Sequence, residues 1–175
     1  MSKRTEYHVK SDKQAATKTG KRTASNSANL AGSKLTHLDG TGQARMVDVS
    51  EKAITVREAV ASAAMRIRPE VLDALLSGNL PKGDALNTAR IAGIQAAKRT
   101  SEWIPMCHIL ALDFVGIDFA RAKIGELGIT CTARATARTG VEMEALTGAA
   151  AAALTIYDMV KSADKSVDIG PIRLE

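Results

Sequence analysis

Residues 112–138 read LDFVGIDFARAKIGELGITCTARATAR, and the fold turns on how they divide. In LDFVGIDFA (112–120) apolar residues alternate, as in a strand with one face on a core. GITCTARATAR (128–138) alternates again and puts Ile129, Cys131, Ala133 and Ala135 on one side. Residues 121–127 then connect the two as a hairpin. Outward from there, a long helix is expected from Val141 to about Ala163, with Glu142 and Glu144 near its start complementing the helix dipole. SVDIGPIRLE (166–175) reads as a last short strand. On the other side, KGDALNTARIAGIQAAKRT (82–100) predicts a helix that Asp84 caps and that runs to about Arg99. PEVLDALLSG (69–78) predicts a shorter helix, with Pro69 in its first turn and Gly78 as its stop. In Ala53–Ile67 the alternation of Ile54 and Val56 favours a strand, although the alanines also permit a helix. MVDVS (46–50) reads as a short strand.

The resulting order, β-α-α-β-β-α-β, is close to the split βαβ arrangement of ferredoxin-like domains. The expected fold class is therefore α+β: a ferredoxin-like sandwich with an additional helix, its helices packed on an antiparallel sheet. The 175 residues suit one domain and a tail. Residues 1–34 hold eight Lys/Arg against Glu6 and Asp12 and almost no large apolar side chains, which predicts a disordered basic tail. The body, 35–175, holds sixteen cations and seventeen anions, so the +5 of the whole chain belongs to its front end. A near-neutral body argues against a nucleic-acid-binding fold, although the tail itself leaves RNA or polyanion binding as the competing, non-enzymatic reading. Cys107 and Cys131 form no CxxC pair, which suits a reducing compartment. No apolar stretch is long enough to span a bilayer, and no secretory signal is expected.

The 82–100 helix poses a choice. Lys82, Arg90 and Lys98 beside Ala89, Ala92, Gly93, Ala96 and Ala97 fit either a solvated basic face or an anion cradle that a ligand or a partner backbone approaches closely. Arg90 and Lys98 lie within about 80° of each other on the helix. No GxxxxGK[ST] or GxGxxG run is present, so a phosphate site here is neither a P-loop nor a Rossmann site. On the last helix, Glu144, Thr147, Ala151, Leu154, Asp158, Lys161 and Lys165 share one stripe. Asp158 and Lys161 are one turn apart, either as a plain surface ion pair or as a pair tuned for proton transfer. Glu144 lies about 21 Å along the axis from Asp158, too far for both to serve one end of a small ligand. His108 among apolar neighbours reads as a packing residue, and Cys107 as a small hydrophobe unless a base lies within reach.

Four segments, LTHLDGTGQARMVDVSEKAITVREA, KGDALNTARIAGIQAAKRTSEWIPMCH, TGVEMEALTGAAAAALTIYDMVKSADK and IGPIRL, resemble in order and spacing the MoaC family of molybdenum-cofactor biosynthesis. The resemblance runs from about Leu35 to the C-terminus. It implies a ferredoxin-like subunit, dimers assembled into a hexamer, and active sites where subunits meet. The implied activity is that of a lyase, turning a cyclised, reduced guanosine triphosphate into cyclic pyranopterin monophosphate and pyrophosphate. By position, the resemblance assigns general acid/base roles to Lys82 and Lys161 and a catalytic role to Asp158. It places Met106, Cys107, His108, Met143 and Glu144 on the substrate, and Arg90 and Lys98 on its phosphates. No cofactor is required, and magnesium enters only with the triphosphate. A cytoplasmic enzyme is implied, without membrane or nucleic-acid partners. The basic tail departs from the family pattern. So does the end at IRLE, where relatives continue into a Lys-, Gly- and Ser-rich segment whose substrate contacts would be missing here.

Overall fold

The computed structural model describes residues 40–175. The expected basic tail over 1–34, and with it the polyanion-binding reading, lies outside the described residues. The hairpin forms as β2 (Phe114–Lys123) and β3 (Glu126–Ala137). It is tighter than the 121–127 connection: Lys123 pairs with Glu126, so only Ile124 and Gly125 turn the chain. Gly125 has φ of 70°, the left-handed region that favours glycine, and its carbonyl accepts a bond from the Ile67 N–H.

Residues 53–67 resolve as a strand, β1 (Thr55–Arg66). Its core side is carried by Ala59, Ala61, Ala63 and Met65, whereas Ile54 and Val56 are exposed. MVDVS is not a strand. Residues 46–49 join no ladder, and Val47 spends its carbonyl on His108. The alternation that suggested a strand is real, since Val47 and Val49 are half-buried between exposed neighbours, but these two valines line a cavity and not a sheet.

Four helices complete the body: α1 (Pro69–Leu76), α2 (Ala85–Ala97), α3 (Thr100–Trp103) and α4 (Glu142–Val160). Asp84 caps α2 as expected, accepting from the Asn87 N–H at 3.0 Å. The last strand is β4 (Asp168–Leu174), and the sheet order is β2-β3-β1-β4 with every neighbouring pair antiparallel. β3 thus sits between β1 and β2, which splits the β1-α1-α2-β2 unit in the ferredoxin-like manner. Pro171, which has no N–H to give a ladder, sits on the edge strand β4, where the pairing with β1 shifts register.

The core lies between the sheet and the pair α2 and α4. Ala85, Ala89, Gly93, Ala96 and Ala97 of α2 are all buried. A Cβ on Gly93 would stand 2.9 Å from the Gly148 carbonyl oxygen of α4 and 2.9 Å from Ile117 Cδ1. One on Gly148 would stand 2.6 Å from Cys131 Sγ. The small residues of 82–100 therefore let one helix backbone approach another. They make α2 a thin layer that carries the turn before it to the end of α4.

Candidate active site

Asp158 lies in the last turn of α4, and Lys161 follows the helix as its C-cap. Their spacing brings Lys161 Nζ to 2.6 Å from Asp158 Oδ1. Lys82 arrives from a separate segment, the turn before α2, between Pro81 and the left-handed Gly83 (φ 87°). Its ammonium donates to the Asp158 backbone carbonyl at 2.9 Å and lies 4.0 Å from Asp158 Oδ2. That carbonyl is among those a helix end leaves without an intrahelical donor, and a cation there also meets the negative end of the helix dipole. One carboxylate is thus shared between two lysines distant in sequence.

All three side chains are about half exposed, so this is an accessible cluster and not a buried lock. The Lys161 hydrogen bond and charge, with a smaller contribution from Lys82, hold the Asp158 carboxyl below the usual carboxylate range. Asp158 in turn raises the Lys161 ammonium above the ordinary lysine value, first through the hydrogen bond and then through its charge. Lys161 is therefore an ammonium at rest. It is poised to donate a proton or meet an anion, and acts as a base only once its hold on Asp158 is loosened.

The other end of α4 builds a second region. Met106, Cys107 and His108 from the segment after α3 meet Met143 and Glu144 from the first turn of α4 around a cavity of about 300 Å³. A carbonyl oxygen only accepts, so His108 Nε2 carries a proton and donates it to the Val47 carbonyl at 2.9 Å. Glu144 is only 4% exposed. Burial pushes its carboxyl up, and the neighbouring Glu142 adds to the rise. Burial likewise raises the Cys107 thiol, with a further push from Glu144, so the position does not activate a thiolate. Cys131 is buried under α4 and pushed up to about 11. Lys52, Thr139, Gly140 and Glu142 also line the cavity. Lys52 gave no signal in the sequence. Glu142 read there only as a dipole residue, although the Thr139-Gly140 break before α4 marks where a cavity wall turns.

The cations on α2 do not join this picture as one group. Arg90 donates through Nε to the Ile117 carbonyl at 3.1 Å and through a terminal nitrogen to Asn87 at 2.6 Å, and it lies over the Phe119 ring at 5.4 Å. It is committed to β2 and shares no partner with Lys82. Lys98 caps the end of α2 and is exposed. The structure thus brings Lys82 to Lys161 and not to Arg90 or Lys98. It keeps the Glu144 and Asp158 ends of α4 about 21 Å apart along the axis.

The fold, the shared carboxylate and the cavity at the far end of α4 meet a match with known proteins. The model of the MoaC family fits residues 46–175. The chain belongs to the MoaC family. A cyclic pyranopterin monophosphate synthase of Novosphingobium aromaticivorans is 58% identical over 140 residues, 80% of this chain and 88% of the relative. One of Chloroflexus aggregans is 53% identical over 142 residues, 81% of this chain and 86% of the relative. A cyclic pyranopterin monophosphate synthase 2 of Mycobacterium bovis is 51% identical over 151 residues, 86% of this chain and 90% of the relative. The MoaC match begins at Met46, so Lys52 and the cavity-lining valines fall inside it, as do both ends of α4. Among the described residues of this MoaC chain, no helix is long and apolar enough to cross a membrane.

Proposed function

We propose that the chain is a lyase of molybdenum-cofactor biosynthesis. It converts a cyclised, reduced guanosine triphosphate into cyclic pyranopterin monophosphate and releases pyrophosphate. The observation that carries this reading, beside family membership, is the convergence of Lys82 and Lys161 on Asp158. The rearrangement opens and recloses rings and closes a cyclic phosphate, so it needs proton donors and acceptors beside a polyanion. Lys161 supplies the proton, Asp158 orients and charges it, and Lys82 adds a second cation to receive phosphate oxygens. Phosphates arriving at this cluster compete with Asp158 for both ammonium groups, which frees the carboxylate to accept a proton.

The Met106, Cys107, His108, Met143 and Glu144 cavity is read as the seat of the rest of the substrate. It lies too far along α4 to share one small ligand with the lysines of its own chain, so the site is completed by a second copy, within a hexamer of three dimers. Arg90 and Lys98 are assigned to phosphate contact in that assembly. Magnesium is read as a companion of the triphosphate, whose oxygens suit that cation. The two free cysteines fit a cytoplasmic setting. The test is direct. Wild type incubated with the cyclised substrate should form pterin product and pyrophosphate in equal amounts. Lys82→Ala or Lys161→Ala should each lose at least about 100-fold in kcat with the fold intact. Pyrophosphate release without pterin formation, or wild-type rates in either variant, would refute the assignment.

A further inference from the structure

Of the few buried polar side chains in the described residues, Asp164 has no place in the chemistry above, and it is only 2% exposed. A buried carboxylate is costly unless bonded on all sides, and this one is. Oδ2 accepts the Arg68 backbone N–H at 2.8 Å. Oδ1 accepts the Ser166 N–H at 2.9 Å and the Ser166 hydroxyl at 2.6 Å, and Arg68 Nε lies 3.4 Å away. The Arg68 guanidinium also donates to the Ala163 carbonyl. Arg68 is the N-cap residue of α1, one residue beyond Ile67, which follows the end of β1. The carboxylate therefore ties the turn after α4 to the junction between β1 and α1.

That turn is where the candidate chemistry sits. Lys161 is the C-cap of α4, and the N–H groups of Ala163 and Asp164 both return to the Val160 carbonyl. Asp158 and Lys161 are themselves half exposed, so no packing around their own side chains fixes their direction. Helix ends fray, and here no glycine stop follows to hold the end. The Lys82 bond to the Asp158 carbonyl, the Asp164 clasp and the Arg68 bond to the Ala163 carbonyl tie this end of α4 to other segments.

We infer that Asp164 is a positioning residue for the Lys161–Asp158 pair: its buried carboxylate pins the end of α4 to the β1–α1 junction and so holds the Lys161 ammonium in place. The inference rests on the proposed acid–base role of Lys161. The Arg68 N–H, then the Ser166 hydroxyl and N–H and the Arg68 charge, hold the Asp164 carboxyl below the usual range, so the clasp is ionised at neutral pH.

Asp164→Asn and the milder Ser166→Ala, in the full-length chain, are compared with wild type in two measurements. The first is pyrophosphate release, and the second is an NMR titration of the Lys161 Cε resonance, which needs no substrate. Asp164→Asn is expected to lower kcat about tenfold with KM little changed, as when the group that orients a catalytic residue is lost. The Lys161 titration should move down toward the ordinary lysine value as its contact with Asp158 loosens, with Ser166→Ala shifting in the same direction by less. The charged and titratable groups facing Lys161 are Asp158, Lys82 and Tyr157, and neither substitution alters them. Reduced thermal stability with kcat and the titration unchanged would overturn the inference and leave Asp164 a residue of the fold alone. Should Asp164→Asn fail to fold, the Lys161 titration in Ser166→Ala decides: a downward shift supports the clasp, and no shift overturns it. A wild type that releases no pyrophosphate would instead refute the proposed reaction, while the titration still decides about Asp164.

Discussion

Asp158 spends its two carboxylate oxygens on two lysines, one a turn away on its own helix and one from a segment 76 residues earlier. Replacing it with Asn keeps the shape and removes the charge. The Lys161 pKa should then fall toward the ordinary value, and kcat by about 100-fold or more. An NMR titration and steady-state rates on Asp158→Asn check both. Glu144 shows the opposite strain. Its carboxyl is pushed up by burial, so the folded protein is penalised for ionising it. A raised carboxyl contributes stability below its unfolded pKa, near 4.3, and loses it as pH rises through the folded value. Glu144→Gln, which does not titrate, should therefore gain stability over wild type between about pH 4 and neutrality while losing turnover. Thermal melts at the two pH values check the sign. The Asp158–Lys161 pair was legible from its spacing alone. The third partner was not, because no local pattern brings residue 82 to the end of α4; only the resemblance pointed there.

At the scale of elements, the sequence was clearest where one period governed a whole segment. The β2–β3 alternation and the capped start of α2 both formed as their patterns predicted. Elsewhere one pattern had two physical causes. Val47 and Val49 alternate because they face a cavity, and MVDVS therefore mimics a strand without being one. Ile54 and Val56 do share a face, but it is the outer one, and the inner face of β1 is built from alanines too small to announce a core. The small residues of α2 invited the close approach of a ligand or a partner backbone. They let Gly93 pass Gly148, as only the packed structure reveals. Gly93→Ala tests that account. Alanine favours a helix by about 1 kcal/mol over glycine. Its methyl, however, would press on a backbone oxygen and on Ile117, and such overpacking costs about 1–3 kcal/mol. We expect a net loss of about 1 kcal/mol in denaturant unfolding. A stabilised variant would show that the helices are free to move apart.

For the whole molecule, α4 is the organising member. Its first turn helps wall a cavity and its last turn holds the lysine cluster, at opposite ends of a 19-residue helix. If one reaction uses both ends, each site draws them from different copies of the chain. Mixing two inactive variants tests this most directly: Lys161→Ala, which lacks the proton donor, and Glu144→Ala, which alters the cavity. Co-assembled in equal amounts, they should regain pyrophosphate release, because random pairing across a two-fold interface leaves about one-quarter of the sites intact. A mixture that stays as inactive as its components, while native mass spectrometry shows mixed assemblies, would contradict the account.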